Sequence, residues 1–82
     1  GQYGITVNTV CPLAFSDAYR YWFEEMIDDE GRNKHLEGIP MRRVGEPEQD
    51  IAPIVVFLAS EASGYITSRT FHVDGGNCAY DR

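Results

Sequence analysis

The side chains of this sequence that could do chemistry are few and widely spaced. Two cysteines and two histidines could supply the four ligands of a zinc site: Cys11, His35, His72 and Cys78. Structural zinc sites draw ligands from closely spaced pairs, and no pair here has that spacing, so we expect no metal. The acidic run at residues 28–30 is expected to be a solvated helix face rather than an acid–base pair.

The residues best placed to meet a ligand follow a predicted strand. Residues 5–11 are rich in β-branched side chains and are stopped by Pro12. Apolar residues lie on both faces, as in a strand inside a parallel sheet covered by helices. The loop that begins at Pro12 lies at the carboxyl end of this strand, where open α/β sheets bind ligands. Ser16 is expected to cap the next helix.

A second group of interest is a stripe of large apolar side chains. An amphipathic helix is predicted over residues 18–30, with Gly31 ending it, Arg20 pairing with Glu24, and a short polar connection over residues 32–37. Two interpretations of the stripe are open: ordinary packing against the rest of the fold, or a movable lid over an apolar substrate. Its members are Tyr19, Trp22, Phe23, Met26 and Ile27.

The elements that must position these residues lie in the second half of the chain. A helix is predicted over residues 47–60, with Pro47 in its first turn, a local bend at Pro53 and an exit at Gly64 with positive φ. No charge interrupts residues 51–59, so we expect this helix to be buried on more than one side, one of them against something outside these elements.

A second strand is predicted over residues 70–74, where apolar and polar residues alternate. Strand, helical crossover and strand predict a parallel pair, and hence an α/β fold of the doubly wound type. The chain of 82 residues is long enough for one small domain at most.

Composition narrows the class of protein. The chain is 43% hydrophobic and 12% aromatic, which is typical of a globular protein. Its net charge of −6, with no basic cluster larger than Arg42 and Arg43, argues against nucleic acid or an anionic membrane as a partner. We expect reduced cysteines, no signal peptide or membrane span, and a cytoplasmic location. Residues 1–4 look like a helix exit, so we expect the chain to be an internal cut of a longer protein.

Several ordered motifs carry a resemblance to a known family. YGITVNTVCP at residues 3–12 resembles a strand motif of the short-chain dehydrogenases/reductases, and residues 39–52 resemble their segment of the form iP-gR-GeP-diA. FLAS, YIT and VDGG, at residues 57–60, 65–67 and 73–76, resemble the carboxyl-terminal signature of that family. The resemblance covers nearly the whole chain. It implies an NAD(P)-dependent Rossmann-type oxidoreductase acting on an alcohol or carbonyl.

The resemblance also implies what is missing. The family's glycine-rich nucleotide motif and its catalytic Asn, Ser, Tyr and Lys match nothing here, and no tyrosine is followed four residues later by lysine. We therefore expect residues 1–82 to be the C-terminal fragment of a single Rossmann-fold domain, comprising two strands plus helices of its doubly wound parallel sheet. Such a fragment would hold no catalytic residue and would be inactive alone.

Site residues follow from the same resemblance. Pro12 matches the proline whose loop passes the nicotinamide, although Leu13 stands where the family has glycine and Asp17 where it has threonine. Ser16 offers a hydroxyl one position earlier. The expected contacts to NAD or NADP are Pro12, Leu13, Ala14 and Ser16. The expected substrate contacts, which fall in the family's variable segment, are Phe15, Tyr19, Trp22, Phe23 and Met26.

The resemblance implies a homo-oligomer, because in many family members the elements matching residues 47–60 and 70–74 pack on another subunit. The predicted function is therefore the substrate-lid and subunit-contact part of an NAD(P)-dependent short-chain oxidoreductase. The alternative is a non-catalytic, self-associating module from a truncated dehydrogenase-like gene.

Overall fold

The computed structural model describes residues 2–77 as a two-stranded parallel sheet whose strands are joined by a long, mostly helical connection. The strands are β1 (Thr9–Pro12) and β2 (Thr70–Val73), and the α-helices are α1 (Asp17–Tyr21), α2 (Asp29–Glu37) and α3 (Ala52–Ala59). A π-helical turn, Trp22–Met26, continues α1; another, Pro47–Ile51, leads into α3; and a 3₁₀ turn, Glu61–Ser63, follows it. No helix among residues 2–77 is long and apolar enough to cross a membrane.

The parallel strand pair predicted from the sequence is confirmed. Thr9 lies opposite Thr70, and Pro12 lies opposite Val73. The first strand is shorter than predicted, however, because regular pairing begins only at Thr9. Ser68 has a positive φ of 60°, which bends the chain just before β2. Side chains bridge the two segments before that point: the amide of Asn8 donates to the carbonyl of Ile66 and accepts from the N–H of Arg69.

The single helix predicted over residues 18–30 is wrong. Helical structure begins at Asp17, runs through the π-helical turn and stops at Ile27, whose backbone is extended (φ −118°, ψ 156°). A separate helix, α2, then begins, because the Asp28 carboxylate accepts from the N–H of Gly31 at 2.8 Å and caps it. Gly31 therefore lies inside a helix instead of ending one. The predicted polar connection over residues 32–37 is the body of α2.

The helix predicted over residues 47–60 is present but is not uniform. The N–H of Ala52 donates to the carbonyl of Pro47, five residues back, so the first turn is widened. Pro53 then falls in the first turn of α3, where its missing N–H costs little. The exit predicted at Gly64 is wrong, because Gly64 has an ordinary helical φ of −62°. The chain leaves the helix earlier, at Ser60, whose backbone is extended.

The apolar core lies in the connection between α2 and α3. Among residues 2–77, the buried hydrophobic side chains are Ile39, which is 2% exposed, and Val44, which is 5% exposed. No residue of α3 is buried, and Val56 on this helix is 67% exposed. The burial predicted for α3 is therefore not provided by the described chain.

The shape of the chain agrees with this sparse core. Its accessible surface is 6296 Å², against about 4900 Å² for a compact monomer of this mass. Its radius of gyration is 15.6 Å, against about 12 Å for a compact chain of this length. The chain therefore exposes apolar surface that a compact monomer of this size would bury.

Candidate functional site

Backbone hydrogen bonds hold the loop after β1, residues 12–16, on the side that faces β2 and Gly45. The N–H of Leu13 donates to the carbonyl of Val73, at the end of β2, at 2.9 Å. Gly45 bonds the same loop twice: it accepts from the N–H of Phe15 at 2.9 Å and donates to the carbonyl of Leu13 at 3.1 Å. A Cβ atom at Gly45 would lie 2.9 Å from that carbonyl oxygen, so glycine is required for this close approach.

The backbone N–H and carbonyl of Ala14 point away from Gly45. Leu13 and Phe15 direct their bonded groups toward Gly45, and successive backbone groups in an extended chain face opposite sides. The N–H and carbonyl of Ala14 therefore face the edge of β1 that has no strand partner among residues 2–77. A polar ligand at this edge would meet one donor and one acceptor.

Ser16 caps α1, as the sequence predicts. Its Oγ accepts from the N–H of Tyr19 at 3.1 Å. A hydroxyl that accepts one hydrogen bond still carries a donor proton and a further lone pair. Ser16 can therefore hold the start of α1 and bind a ligand at the same time.

A groove of about 510 Å³ runs between the loop and α3. It is lined by most of the loop and by one side of the second helical segment: Pro12, Ala14, Phe15, Ser16, Pro47, Ile51, Ala52, Val55 and Val56. Leu13 instead lines a smaller cavity of about 210 Å³ together with Gly45, Asp50 and Val73. The structure thus brings three of the four predicted cofactor residues to one groove and places Leu13 in the other cavity.

Four of the five predicted substrate residues gather in one aromatic cluster. Phe15 contacts both Tyr19 and Phe23, with ring centroids 5.2 and 5.4 Å apart, and Tyr19 contacts Trp22 at 6.0 Å. Burial raises the pKa of the Tyr19 hydroxyl above its ordinary value. The fifth predicted residue, Met26, is 65% exposed at the end of the π-helical turn.

His35, which was not predicted as a site residue from the sequence, also belongs to this cluster. Its ring lies 5.2 Å from that of Trp22, 5.7 Å from that of Tyr19 and 5.9 Å from that of Phe23. Its Nε2 is hydrogen-bonded to the Tyr19 hydroxyl. The sequence does contain a signal for α2, the helix that carries His35. Asp28 is an N-cap residue type, acidic residues follow it in the first turn, and Lys34 and His35 lie in the last turn.

An ion-pair network lies beside the cluster. The predicted pairing of Arg20 with Glu24 is confirmed at 3.5 Å, but a closer partner, Glu46, was missed. Hydrogen bonding to Glu46 is the main cause that raises the pKa of the Arg20 guanidinium. Hydrogen bonds from Arg43, and then from the N–H of Glu46, lower the pKa of Asp50 to about 2.

The described part of the chain holds no group of three or more metal-ligating side chains. Cys11 is a half-buried free cysteine, whereas Cys78, which the sequence analysis weighed as a ligand, lies outside residues 2–77.

Comparison with known proteins adds two close curated relatives. The chain is 43% identical over 77 residues to L-rhamnose-1-dehydrogenase of Scheffersomyces stipitis, covering 93% of this chain and 28% of that protein. It is 45% identical over 74 residues to the 3-oxoacyl-[acyl-carrier-protein] reductase FabG of Staphylococcus epidermidis, covering 89% of this chain and again 28% of the relative. The chain thus spans little more than a quarter of the length of these relatives.

Two solved structures share the fold. A short chain dehydrogenase family protein from Francisella tularensis aligns over 95% of this chain and 35% of its own, with a TM-score of 0.80 and 35% identity. YwfH, an NADPH-dependent reductase involved in bacilysin biosynthesis, aligns over 93% of this chain and 31% of its own, with a TM-score of 0.79 and 34% identity. Because these neighbours are Rossmann-fold proteins, the parallel pair is part of an α/β fold of that type.

The family model described as enoyl-(acyl carrier protein) reductase matches residues 1–77, which is nearly the whole chain. With the strand order, the loop at the carboxyl end of β1 and the relatives above, this match settles the family. The chain belongs to the short-chain dehydrogenase/reductase family of oxidoreductases.

Proposed function

We propose that this chain supplies the cofactor-facing loop, the substrate lid and the subunit contact of an NAD(P)-dependent short-chain oxidoreductase, as the C-terminal fragment of its Rossmann domain. The observation that carries the proposal is the position of residues 12–16. They lie at the carboxyl end of a parallel strand, where α/β sheets bind ligands, and they lead directly into the aromatic cluster.

The residues of the loop fit a nicotinamide. A carboxamide group both donates and accepts hydrogen bonds, and the backbone of Ala14 offers both kinds of partner on its unpaired side. Ser16 adds a hydroxyl on the same groove, and Pro12 adds an apolar surface for a ring. When bound, the cofactor would carry the hydride to or from the substrate carbon. The loop's part is to hold and orient one end of it.

The aromatic cluster supports a substrate with an apolar portion. The Tyr19 hydroxyl and Nε2 of His35 are hydrogen-bonded to each other, and the phenylalanines of the cluster offer only ring surface to a ligand. The relatives named above include a sugar dehydrogenase and a 3-oxoacyl reductase, which share the interconversion of a hydroxyl and a carbonyl. We therefore propose an alcohol or carbonyl compound as the substrate class.

The exposed face of α3 supports the proposed subunit contact and homo-oligomer. Val55, Val56 and Phe57 are exposed in succession, and β2, like β1, has one unpaired edge among residues 2–77. A second copy packed through α3 and residues 70–74 would cover both features. The same exposed face also favours the second candidate function, a self-associating module without catalysis.

A chimera tests the proposed function. The 74 residues of the Staphylococcus epidermidis reductase that match this chain are replaced by the corresponding residues of this chain. We expect the chimera to reduce a 3-oxoacyl thioester with NADH or NADPH, and the 82-residue chain alone to give no turnover. The control is the same reductase with those residues deleted.

Three results would contradict the proposal. A folded chimera that binds neither NADH nor NADPH would remove the proposed role of the loop. Turnover by the 82-residue chain alone would show that the fragment is catalytically complete. A folded but inactive chimera, together with a stable oligomer of the chain alone, would favour the self-associating module.

A further inference from the structure

We propose that the Arg20–Glu46 ion pair is a positioning contact that fastens the lid, residues 15–37, to the base of the fold, residues 13–14 and 38–51, and thereby sets substrate affinity. The inference rests on the proposed function for its effect on the reaction. Its structural part, the fastening itself, does not depend on any activity.

The pair has the geometry of a specific contact. Nη2 of Arg20 donates to both carboxylate oxygens of Glu46, at 2.5 and 2.6 Å. The guanidinium carbon also lies 4.5 Å from the centroid of the Phe15 ring. Charge-assisted bonds shared between two oxygens, combined with stacking on a ring, restrict the orientation of an arginine more than a single contact does. Arg20 therefore fixes both its own helix and the first ring of the aromatic cluster.

The Glu46 side of the contact is anchored. Its backbone follows Gly45, whose N–H donates to the carbonyl of Leu13 in the strand-end loop. Its N–H donates to Oδ2 of Asp50 at 2.6 Å. Asp50 in turn accepts two hydrogen bonds from Arg43, at 2.7 and 2.9 Å. Glu46 is thus held by the base of the fold on either side.

The lid is also tied together internally. Tyr19, the neighbour of Arg20 in α1, is hydrogen-bonded to His35 of α2. Arg32 donates to the carbonyls of Phe23 and Ile27, at 3.1 and 2.8 Å, across the junction between the π-helical turn and α2. Loss of the Arg20–Glu46 contact would therefore loosen the middle of the lid with its internal packing kept, while the bonds at its two ends remain, from the N–H of Phe15 to Gly45 and from Arg42 to the carbonyl of Glu37.

This arrangement predicts an effect on binding rather than on the chemical step. Ion pairs as exposed as this one contribute little to global stability. An arginine that orients a substrate-covering segment instead changes the fraction of molecules in which the lid covers the substrate. This change appears in KM. We expect loss of the pair to raise the apparent KM about fivefold and to leave kcat within about twofold.

The structural test uses the full 82-residue chain, in which Trp22 is the only tryptophan and lies in the lid. Glu46→Gln removes the charge and keeps the shape. Glu48→Gln is the matched control, since Glu48 is an exposed glutamate in the same helical turn. We expect Glu46→Gln to shift the Trp22 emission and to speed amide exchange of residues 19–23 about fivefold, and Glu48→Gln to change neither. The double variant Arg20→Glu/Glu46→Arg should restore part of both, because it re-forms the ion pair without the stacking on Phe15 and the pairing with Glu24.

The same variants in the chimera supply the functional readout. A higher KM with unchanged kcat for Glu46→Gln, absent for Glu48→Gln, supports the proposal. Equal exchange and emission in the two single variants would overturn the fastening. A fall in kcat with unchanged KM would overturn the positioning role. Glu46→Gln could change amide exchange in the chain while the unsubstituted chimera shows no turnover. That result would refute the proposed function and the KM effect, and the fastening of the lid would stand.

Discussion

Two parts of this chain differ in whether their apolar side chains are buried and their charged side chains are paired within residues 2–77. Among residues 2–77, the lid and its base, residues 13–51, contain both buried apolar residues, Ile39 and Val44, and the ion pairs that Arg20, Arg32 and Arg43 form. The sheet part, consisting of β1, β2 and α3, contains no buried apolar residue among residues 2–77. It presents Val56 and Phe57 to the outside instead.

This difference indicates what each part is built for. A segment that contains ion pairs, a ring cluster and buried apolar side chains can keep its shape beside a ligand. A strand pair and an apolar helix that bury nothing depend on further protein for burial, because exposed apolar surface of this extent gains free energy when covered. The predictions below test whether the two parts really differ in this way.

The largest expected effect is a difference in stability loss between a substitution in the base of the lid and one in the sheet part. Ile39→Ala should lower the free energy of unfolding of the chain by about 2–4 kcal/mol, because it empties an enclosed site. Val55→Ala on exposed α3 should change it by less than about 0.5 kcal/mol in dilute solution. Urea unfolding followed by Trp22 fluorescence measures both. Equal losses in the two variants would erase the distinction.

The next effect concerns association. Val56→Glu should weaken self-association of the chain about tenfold or more, since a carboxylate would replace an apolar contact. Asn33→Glu adds the same charge on the exposed face of α2 and should leave association unchanged. Sedimentation velocity at micromolar concentration measures the change. A monodisperse monomer before any substitution would contradict the proposed subunit contact.

A smaller effect separates the two roles of Ser16. Ser16→Ala should destabilise the lid by about 1 kcal/mol through loss of the cap. Ser16→Asp keeps an acceptor for the N–H of Tyr19 and should retain stability, but it removes the donor hydroxyl proposed for the cofactor. In the chimera, we expect Ser16→Asp to weaken nicotinamide binding without lowering the unfolding midpoint. Unchanged binding would remove Ser16 from the cofactor site.

The smallest effect is a pH dependence confined to the base of the lid. The pKa of Asp50 is lowered from 3.8 to about 2 in the folded chain. Between these values the unfolded state binds more protons, so the contribution of Asp50 to stability is present above about pH 4 and is lost as the pH falls toward 2. Asp50→Asn should flatten that part of the stability profile, measured by unfolding at each pH. An unchanged profile would show that Arg43 does not stabilise the carboxylate.

Local chemistry in the sequence was sufficient to predict several features correctly. The β-branched residues before Pro12 and the alternation at residues 70–74 indicate two strands joined by a helical crossover, and the parallel pair that this order predicts is confirmed. Ser16 caps a helix as its type predicts. Each of these depends on neighbours within a few residues or on motif order along the chain.

The features that were missed have two causes: a local cap that outweighs a glycine signal, and contacts that are distant in sequence. Gly31 looks like a helix end, but the Asp28 carboxylate caps a second helix across it. Gly64 looks like a positive-φ exit, whereas a positive φ lies, among other residues, at Ser68, whose N–H donates to the carbonyl of the distant Val7. His35 reaches the aromatic cluster only because α2 folds back on α1.

The most direct test of the contrast between the two parts is amide exchange of the chain at low and high micromolar concentration. We expect α2 to show the same protection at both concentrations, and α3 and β2 to gain protection as the concentration rises, because a second copy covers them. Protection of α3 and β2 that is equal to that of α2 and independent of concentration would show that the sheet part is complete by itself and would contradict the account.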